Sequence, residues 1–305
     1  MENQGLRAKQ GRLVGPVHSV FVEHAFYCHD EDRPLGPTVP EKATTYNVKG
    51  NKTESVLHNP DGSPARKWTY RYDDNHRLVE VVGYDARSGA LSEKWVYAYN
   101  TRGKLIELTI SDAHGDLRER EVYTYDRKGR RKGSVKYRGD GGVSRRETYT
   151  YTPKGSRLES STYGPGGSVK ETATGGRDRE GNPTELITYQ SNGAVTSKVK
   201  YTFDAEGSEI GTAWFDDDGR LKRKSSVSYD FRGNSVASTL STGARVQRHS
   251  YAYEFDSVGN WIKKTIPRCI LDPDGSSDTK FEPYEVVYRR IDYWPQSSKR
   301  RKTPR

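Results

Sequence analysis

Two tryptophan–tyrosine pairs are the side chains of this sequence best suited to hold a ligand. Trp68 and Tyr70 form one pair, and Trp95 and Tyr97 repeat it in the next unit of the chain. Aromatic rings spaced along a sheet can stack on sugar rings or nucleotide bases. The same rings can instead form a packing ladder between neighbouring strands, and such ladders recur where no ligand is involved. The four residues are therefore candidates for binding, with cross-strand packing as the alternative.

A group of metal-ligating residue types lies near the start of the chain, at His18, His24, Cys28 and His29. In an extended strand His18 and His24 would share a face but lie roughly 20 Å apart. His29 would point to the opposite face, whereas a tetrahedral site needs its ligands within about 2 Å of the metal. We expect no metal site here and no cofactor.

The sequence shows none of the residue patterns that accompany catalysis. A nucleophile–base signature, a phosphate-binding loop, a metal-hydrolase helix and a dinucleotide fingerprint are all missing. The acidic segment 272–275 with Asp278 resembles a calcium loop, but the EF-hand spacing is absent. A Pro-Asp-Gly turn, as at residues 60–62, explains it better. We expect a protein that is not an enzyme.

Composition describes a thin, well-hydrated fold. Only 31% of the 305 residues are hydrophobic, yet the chain carries 21 Tyr, 7 Phe and 5 Trp. Typical globular domains are about 45–50% apolar, and disordered chains lack aromatic residues. The chain should therefore fold, but without a large aliphatic core.

The net charge of +10 is unevenly distributed. The last seven residues hold five cations, so the rest of the chain carries only +5 from a mixture of both signs. Mixed charge favours solubility over nucleic-acid binding. We expect the tail to be disordered.

The two cysteines allow no disulfide framework. No apolar run is long enough to span a membrane, and no signal peptide is evident, so the location stays unknown.

A short turn, usually an aromatic residue followed by Asp-x-x-Gly, recurs along most of the chain. Successive turns begin 26 residues apart, except for one interval of 27, at Tyr46, Tyr72, Tyr99, Tyr125, Tyr151, Arg177, Phe203, Tyr229 and Phe255. Their glycines are Gly50, Gly103, Gly129, Gly155, Gly181, Gly207, Gly233 and Gly259, with His76 at one position. A second turn lies halfway through each unit, at Gly62, Gly89, Gly115, Gly141, Gly167, Gly193 and Gly219, and later, away from the strict spacing, at Gly243 and Gly275. Asp or Asn caps such a turn, and a left-handed Gly matches it to the strand twist, so each should close a hairpin.

Between the turns, aromatic residues alternate with Thr, Ser and charged residues, which is the period of a β-strand. The face that carries the aromatic ladder should be more buried than the face that carries the Thr residues, because these rings are the main apolar surface available. The sequence predicts an all-β protein: an antiparallel meander of about twenty strands in 26-residue hairpin repeats. So many twisted strands cannot stay flat, and the sheet should coil or become shell-like or barrel-like. In the sixth unit, Ala173 and Gly175 interrupt the aromatic ladder, and Gly175 with Gly176 predicts a bend.

At residues 123–130 (YTYDRKGR), 229–234 (YDFRGN) and 255–260 (FDSVGN) the chain resembles the bacterial YD-repeat, or RHS-repeat, family. The resemblance extends over most of the chain, from about Tyr46 to Asn260. It implies a coiling β-sheet of the kind found in large surface, secreted or toxin-encapsulating proteins.

We divide the chain into a capping strand and loop (1–45), the hairpin repeats (46–266), C-terminal capping strands (267–294) and a basic disordered tail (295–305). The apolar segments near both ends should protect the edges of the sheet. Whether they also meet is left open by the sequence. If they do, Cys28 and Cys269 could come within the roughly 6 Å that a disulfide spans.

These observations predict a non-catalytic repeat scaffold of bacterial surface or secreted type, which presents an aromatic-rich sheet to a carbohydrate or protein partner. The alternative is a fragment of an RHS shell that delivers a toxin or a polymorphic effector. A third hypothesis is binding of nucleic acid or an acidic surface through the basic tail, although nucleic acid is not an expected partner.

Overall fold

The computed structural model describes residues 13–28, 33–152, 157–178, 182–243, 245–271, 280–281 and 284–295. Within these ranges the protein is all-β, without helix, and every strand pairing is antiparallel. No helix in the described ranges is able to cross a membrane. The predicted fold class is therefore confirmed.

The strands follow one another with short connections. The first half of the chain contains β1 (Val17–Cys28), β2 (Arg33–Pro34), β3 (Val39–Tyr46), β4 (Lys52–His58), β5 (Pro64–Tyr72), β6 (Leu78–Asp85), β7 (Leu91–Tyr99), β8 (Leu105–Asp112), β9 (Leu117–Tyr125), β10 (Arg131–Arg138), β11 (Val143–Tyr151) and β12 (Arg157–Tyr163). The second half contains β13 (Val169–Arg177), β14 (Pro183–Gln190), β15 (Val195–Phe203), β16 (Glu209–Phe215), β17 (Leu221–Tyr229), β18 (Ser235–Thr242), β19 (Val246–Ser250), β20 (Ala252–Phe255), β21 (Trp261–Ile266), β22 (Arg268–Leu271), β23 (Lys280–Phe281) and β24 (Tyr284–Tyr293).

The strand pairings form a closed circuit. From β3 to β18 each strand pairs with its neighbours in sequence, and β18 pairs with β19. Strand β19 pairs with β22 and strand β20 pairs with β21, so the four strands form one long hairpin. Strand β21 pairs with β24, β24 with β1, and β1 with β3. The sheet is therefore barrel-like, and the segments expected to cap its edges pair with each other. We call strands β1, β20, β21, β24 and β3 the seam, and strands β4 to β18 the arc.

The Asp-x-x-Gly turn owes its regularity to its side chains. In one example the backbone N–H of Gly129 donates to Asp126 O (2.9 Å), and Gly129 has a φ of +76°. Asp126 Oδ1 accepts the backbone N–H of Arg130 (2.9 Å), while Oδ2 accepts Arg130 Nε (2.7 Å). The same carboxylate clamp holds Asp73 with Arg77, Asp178 with Asn182 and Asp230 with Asn234. The clamp explains why a donor side chain follows the glycine.

Several of the tyrosines that precede these turns tie their unit to the preceding one. Tyr125 donates its hydroxyl to the backbone oxygen of Leu105 at 2.6 Å. Tyr99, Tyr151 and Tyr229 make the equivalent bond to Leu78, Arg131 and Glu209. The turn arginine of one unit also lies over the ring of the next, as Arg130 does over Tyr151 at 4.4 Å. Hydroxyl, ring and guanidinium thus repeat as one structural unit.

The two faces of the sheet differ in the way the sequence predicts. All the ladder residues Tyr72, Tyr99, Tyr125, Tyr151, Phe203, Tyr229 and Phe255 are half-buried. On the other face Thr124, Thr150 and Thr202 are exposed, and only Thr69 is half-buried. We call the ladder side the aromatic face. Fully buried apolar side chains are concentrated elsewhere, at Val17, Val20, Ala25, Val286 and Val287 of the seam, with Val81 as the one described example in the arc.

Three local details depart from the regular pattern. Strand β13 continues through Gly175 and Gly176, which pair with Leu186 and Glu185 of β14, and the bend expected there stays a prediction. The 27-residue unit carries its extra residue in the second turn, where Gly89 N–H donates to Asp85 O four residues back. Gly243 turns the chain without a positive φ.

Some predictions concern parts of the chain that the structure does not describe. They include the turns at Gly155, Gly181 and Gly275, the side chains of Cys28 and Cys269, and the tail from residue 296 onward. The four-part division of the chain stays a prediction, although β3 already begins at Val39 and forms a hairpin with β4 like those that follow.

Candidate ligand-binding face

The four predicted binding residues lie on the aromatic face of β5 and β7, which are separated by β6. Tyr70 is opposite Val81, and Val81 is opposite Trp95, so these side chains form one row across three strands. Trp68 lies one row further along, opposite Gly83. Tyr70 and Trp95 therefore lie in the same row of the sheet, whereas Trp68 and Trp95 lie in different rows.

This arrangement comes from a stagger in the register. Trp95 occupies in its unit the position that Trp68 occupies in the previous one, yet it shares a row with Tyr70, two residues later. The same two-residue step appears between Tyr123 and Glu147, which lie in one row through Ser134. A constant stagger tilts the strands, as closure of a sheet requires.

The contacts of the four rings combine packing with open polar groups. The indole of Trp68 lies against Gly83, where a Cβ would be 3.2 Å from Nε1, so the glycine makes room for the ring. Trp95 Nε1 is buried without a hydrogen-bond partner. Lys52 Nζ lies 5.1 Å from the ring centre of Tyr70. An unpaired buried N–H costs about 1–3 kcal/mol, so a ligand acceptor that reached it would recover that free energy.

Electrostatics keep the tyrosines neutral. Burial raises the pKa of Tyr70, with an opposing contribution from a hydrogen bond with Ser55. Burial, followed by the nearby Tyr99 and Tyr70, also raises the pKa of Tyr97. Both phenols therefore stay protonated near neutral pH and offer an O–H donor beside a flat ring. Binding by these four residues stays a prediction.

A second group of aromatic and cationic side chains, which the sequence does not reveal, lies at the seam. We call Tyr46, Tyr253, Trp261, Lys264 and Arg289 the seam cluster. Arg289 Cζ lies 3.4 Å from the ring centre of Trp261, and Tyr253 packs edge-on against Trp261 at 6.0 Å. Lys264 is opposite Tyr253 in the sheet. Their positions are up to 243 residues apart along the chain, from Tyr46 to Arg289, so no local pattern announces them.

The histidines of β1 have structural partners. His24 contacts Glu285 through Nδ1 and Glu41 through Nε2 (2.6 Å), which joins β1 to the strands on both sides. Burial lowers the pKa of His24, but the hydrogen bonds with Glu41 and Glu285 outweigh it, and the net pKa is raised. His18 packs edge-on against Trp294 at 4.4 Å. His29 lies outside the described ranges.

One acidic group in the described ranges has metal-ligand spacing, at Asp216, Asp217 and Asp218 in a second-type turn. Two of its carboxylates are already engaged: Asp216 pairs with Lys222 at 2.9 Å and Asp218 with Arg220 at 3.1 Å. The group acts as a turn with local ion pairs.

Comparisons with known proteins add little. A family model described only as an uncharacterised protein matches residues 42–158. No curated protein matches the chain at a significant level.

Several solved structures are similar over most of the chain. A porin-like protein from Bacteroides uniformis is 10% identical, covers 92% of this chain and 99% of its own, and has a TM-score of 0.39. A porin-like protein from Bacteroides vulgatus is 10% identical and covers 77% and 96%, with a TM-score of 0.27. The Tc holotoxin pore of Photorhabdus luminescens is 11% identical with a TM-score of 0.18. It covers 83% of this chain, which spans only 23% of the toxin chain. Similarities this weak carry no conclusion about function.

Proposed function

We propose that this chain is a non-catalytic scaffold that presents its aromatic face to a carbohydrate or protein partner. The observation that carries the proposal is the row formed by Tyr70 and Trp95, with Trp68 beside it. These rings are half-buried, held in place by neighbouring strands, and next to an indole N–H without a partner. Rings fixed in this way can stack on a sugar with little further loss of conformational entropy.

The resemblance to YD-repeat proteins supports the same proposal, because scaffolds of that family type are found on bacterial surfaces or in secreted proteins. A surface or secreted location is accordingly part of the proposal. The closed sheet supports the second candidate, a shell of toxin-delivery type, since a closed sheet can surround a polypeptide. That candidate predicts a neighbouring effector or immunity gene, and protection of a co-expressed effector from protease.

A glycan and protein-partner screen followed by tryptophan fluorescence tests the binding proposal. Trp68→Ala and Trp95→Phe should each weaken a positive interaction by about tenfold, because they remove a stacking surface and a donor N–H respectively. Trp214→Phe, in a distant strand of the arc, is the matched control and should change nothing. Binding that survives both test variants would contradict the assignment.

A further inference from the structure

The seam cluster concentrates positive charge that the described residues do not neutralise. Arg289 and Lys264 form no ion pair in the described part of the chain, and Arg289 Nε is buried without a hydrogen-bond partner. Among the described residues, Glu41 interacts electrostatically with Arg289 and Glu285 with Lys264, and both carboxylates contact His24. In the described part of the chain, no carboxylate pairs directly with either of these two partly buried cations.

Their surroundings disfavour the charges that they carry. Burial lowers the pKa of Arg289 to about 10, and burial also lowers the pKa of Lys264. Both groups stay mainly protonated at neutral pH, so the folded protein bears the desolvation cost. An oxyanion between them would offset that cost, since a partly buried charge gains most from a directly hydrogen-bonded partner.

Aromatic rings surround the two cations on the same face. Trp261 lies under the guanidinium of Arg289, and Lys264 Nζ lies 4.4 Å from the ring centre of Tyr251. Burial raises the pKa of Tyr253 to about 12 and also raises that of Tyr46, so both hydroxyls stay neutral. The Tyr253 hydroxyl donates to Ser235 O at 2.9 Å, so its oxygen is left as an acceptor. The combination offers aromatic rings, two cations and the neutral hydroxyl of Tyr46 within a few strands.

We propose that the seam cluster binds the carboxylate of an acidic saccharide, with Arg289 and Lys264 holding the carboxylate and the aromatic rings flanking the sugar. This inference rests on the proposed function and specifies its ligand class. Arginine suits the role because its planar fork matches a carboxylate with two parallel hydrogen bonds.

The charge of the rest of the face favours a single anionic group over a polyanion. Away from the seam, Glu93, Glu119, Glu121 and Glu147 occupy rows of the aromatic face, opposite Gly83, Ile110, Leu108 and Ser134. Glu119, Glu121 and Glu147 pair with Lys136, Arg131 and Arg145. Single-stranded nucleic acid needs a basic groove along several nucleotides, and cations balanced in this way do not supply one. A sugar with one carboxylate needs no such groove.

Two disaccharides that differ in one group test the proposal directly. The probes are glucuronosyl-glucose, joined as in cellobiose, and cellobiose itself, in which a CH₂OH replaces the carboxylate. Calorimetry on the whole chain should show the acidic disaccharide binding about tenfold more tightly. Its binding should also change the fluorescence of Trp261, a signal that Trp261→Phe removes.

The chain provides matched controls on adjacent residues. Arg289→Gln and Lys264→Gln should each weaken the acidic disaccharide by about tenfold and leave cellobiose unaffected. Arg290→Gln and Lys263→Gln remove the same charge from the opposite face, where Arg290 lies over Phe21 and Lys263 pairs with Glu254. These two should bind like the parent. Thermal melts of all four variants verify that each is folded.

Three results would overturn the proposal: no binding of the acidic disaccharide to the parent protein, equal affinity for the two probes, or equal loss in all four variants. Preferential binding of oligothymidylate at the cluster would overturn it in favour of nucleic acid. A glycan that binds through Trp68 and Trp95 without regard to charge would leave the proposed function intact, so the two failures are distinguishable.

Discussion

The arc and the seam of this sheet are stabilised in different ways. In the arc, most units repeat a carboxylate- or amide-clamped turn and a half-buried ring, and several add a hydroxyl bond to the preceding unit. In the seam, the contacts occur once: a buried apolar group in β1 and β24, a histidine between two carboxylates, and Asn260 bonded to Val14 and Tyr293. The repeated units of the arc form a uniform surface, whereas the seam contains the side-chain arrangements that occur once.

The largest effect should come from a charge placed inside the seam. Val286 is 3% exposed and lies opposite Ala25, which is 2% exposed. Val286→Asp should destabilise the fold by about 4 kcal/mol or more, because an unpaired carboxylate would be buried. Denaturant melts measure the loss. Val48→Asp, at a 70% exposed turn position, should stay within about 0.5 kcal/mol. Equal tolerance at both sites would mean that the seam is not packed.

In the arc, the aromatic ladder should carry the next largest effect. Tyr125→Ala removes a half-buried ring and the hydroxyl bond to Leu105, and should cost about 3 kcal/mol. Thr124→Ala, the exposed neighbour on the opposite face, should cost about 0.5 kcal/mol or less. A small loss at Tyr125 in the same melts would show that the ladder is solvated.

The same motif position has different surroundings in the two regions, which permits a direct comparison. Asn260 is 4% exposed; it accepts from Val14 N (2.7 Å) and donates to Val14 O and the Tyr293 hydroxyl. Asn234 clamps only its own turn residue Asp230 (2.9 Å). Asn260→Ala should cost about 2 kcal/mol and Asn234→Ala about 1 kcal/mol. The comparison fails if the order is reversed.

The stability of the seam should depend on pH through His24. Its folded-state pKa lies above the ordinary value of about 6.5. The stabilisation is therefore complete below pH 6.5 and is lost as the pH rises through the folded pKa. The difference in melting temperature between parent and His24→Gln should shrink between pH 6 and pH 9. Thr124→Ala, which removes no titratable group, should show no such trend.

The smallest effect concerns a single turn of the arc. His76 has a φ of +61°, the one positive value for a non-glycine residue in the described ranges. His76→Gly should stabilise the protein by about 1 kcal/mol, since glycine adopts this conformation without strain. His114→Gly, one residue before a turn glycine, should instead destabilise slightly. A loss on His76→Gly would point to the contact between His76 and Asn51 as the stronger term.

Sequence reasoning succeeded where structure is local. The Asp-x-x-Gly spacing and the aromatic alternation predict turns, strands and the protected face, because each depends on residues within one or two units. It could not locate Arg289 and Lys264, since their neighbours are assigned only once β24 pairs with β1 and β21. The apolar ends were recognised as edge protection, but edge protection and closure have the same sequence signature.

The two-residue stagger between units has a consequence for how such a chain could grow. Inserting one 26-residue unit would widen the sheet by about 9.6 Å and slide the last strands by about 6.7 Å past the first. Because side chains alternate with a period of two, that slide preserves the inward or outward orientation of every residue. It would still move Arg289 one row away from Val22. The number of units could therefore change through duplication while every side chain keeps its face of the sheet. Each gain or loss of a unit would, however, change which side chains are in contact at the seam.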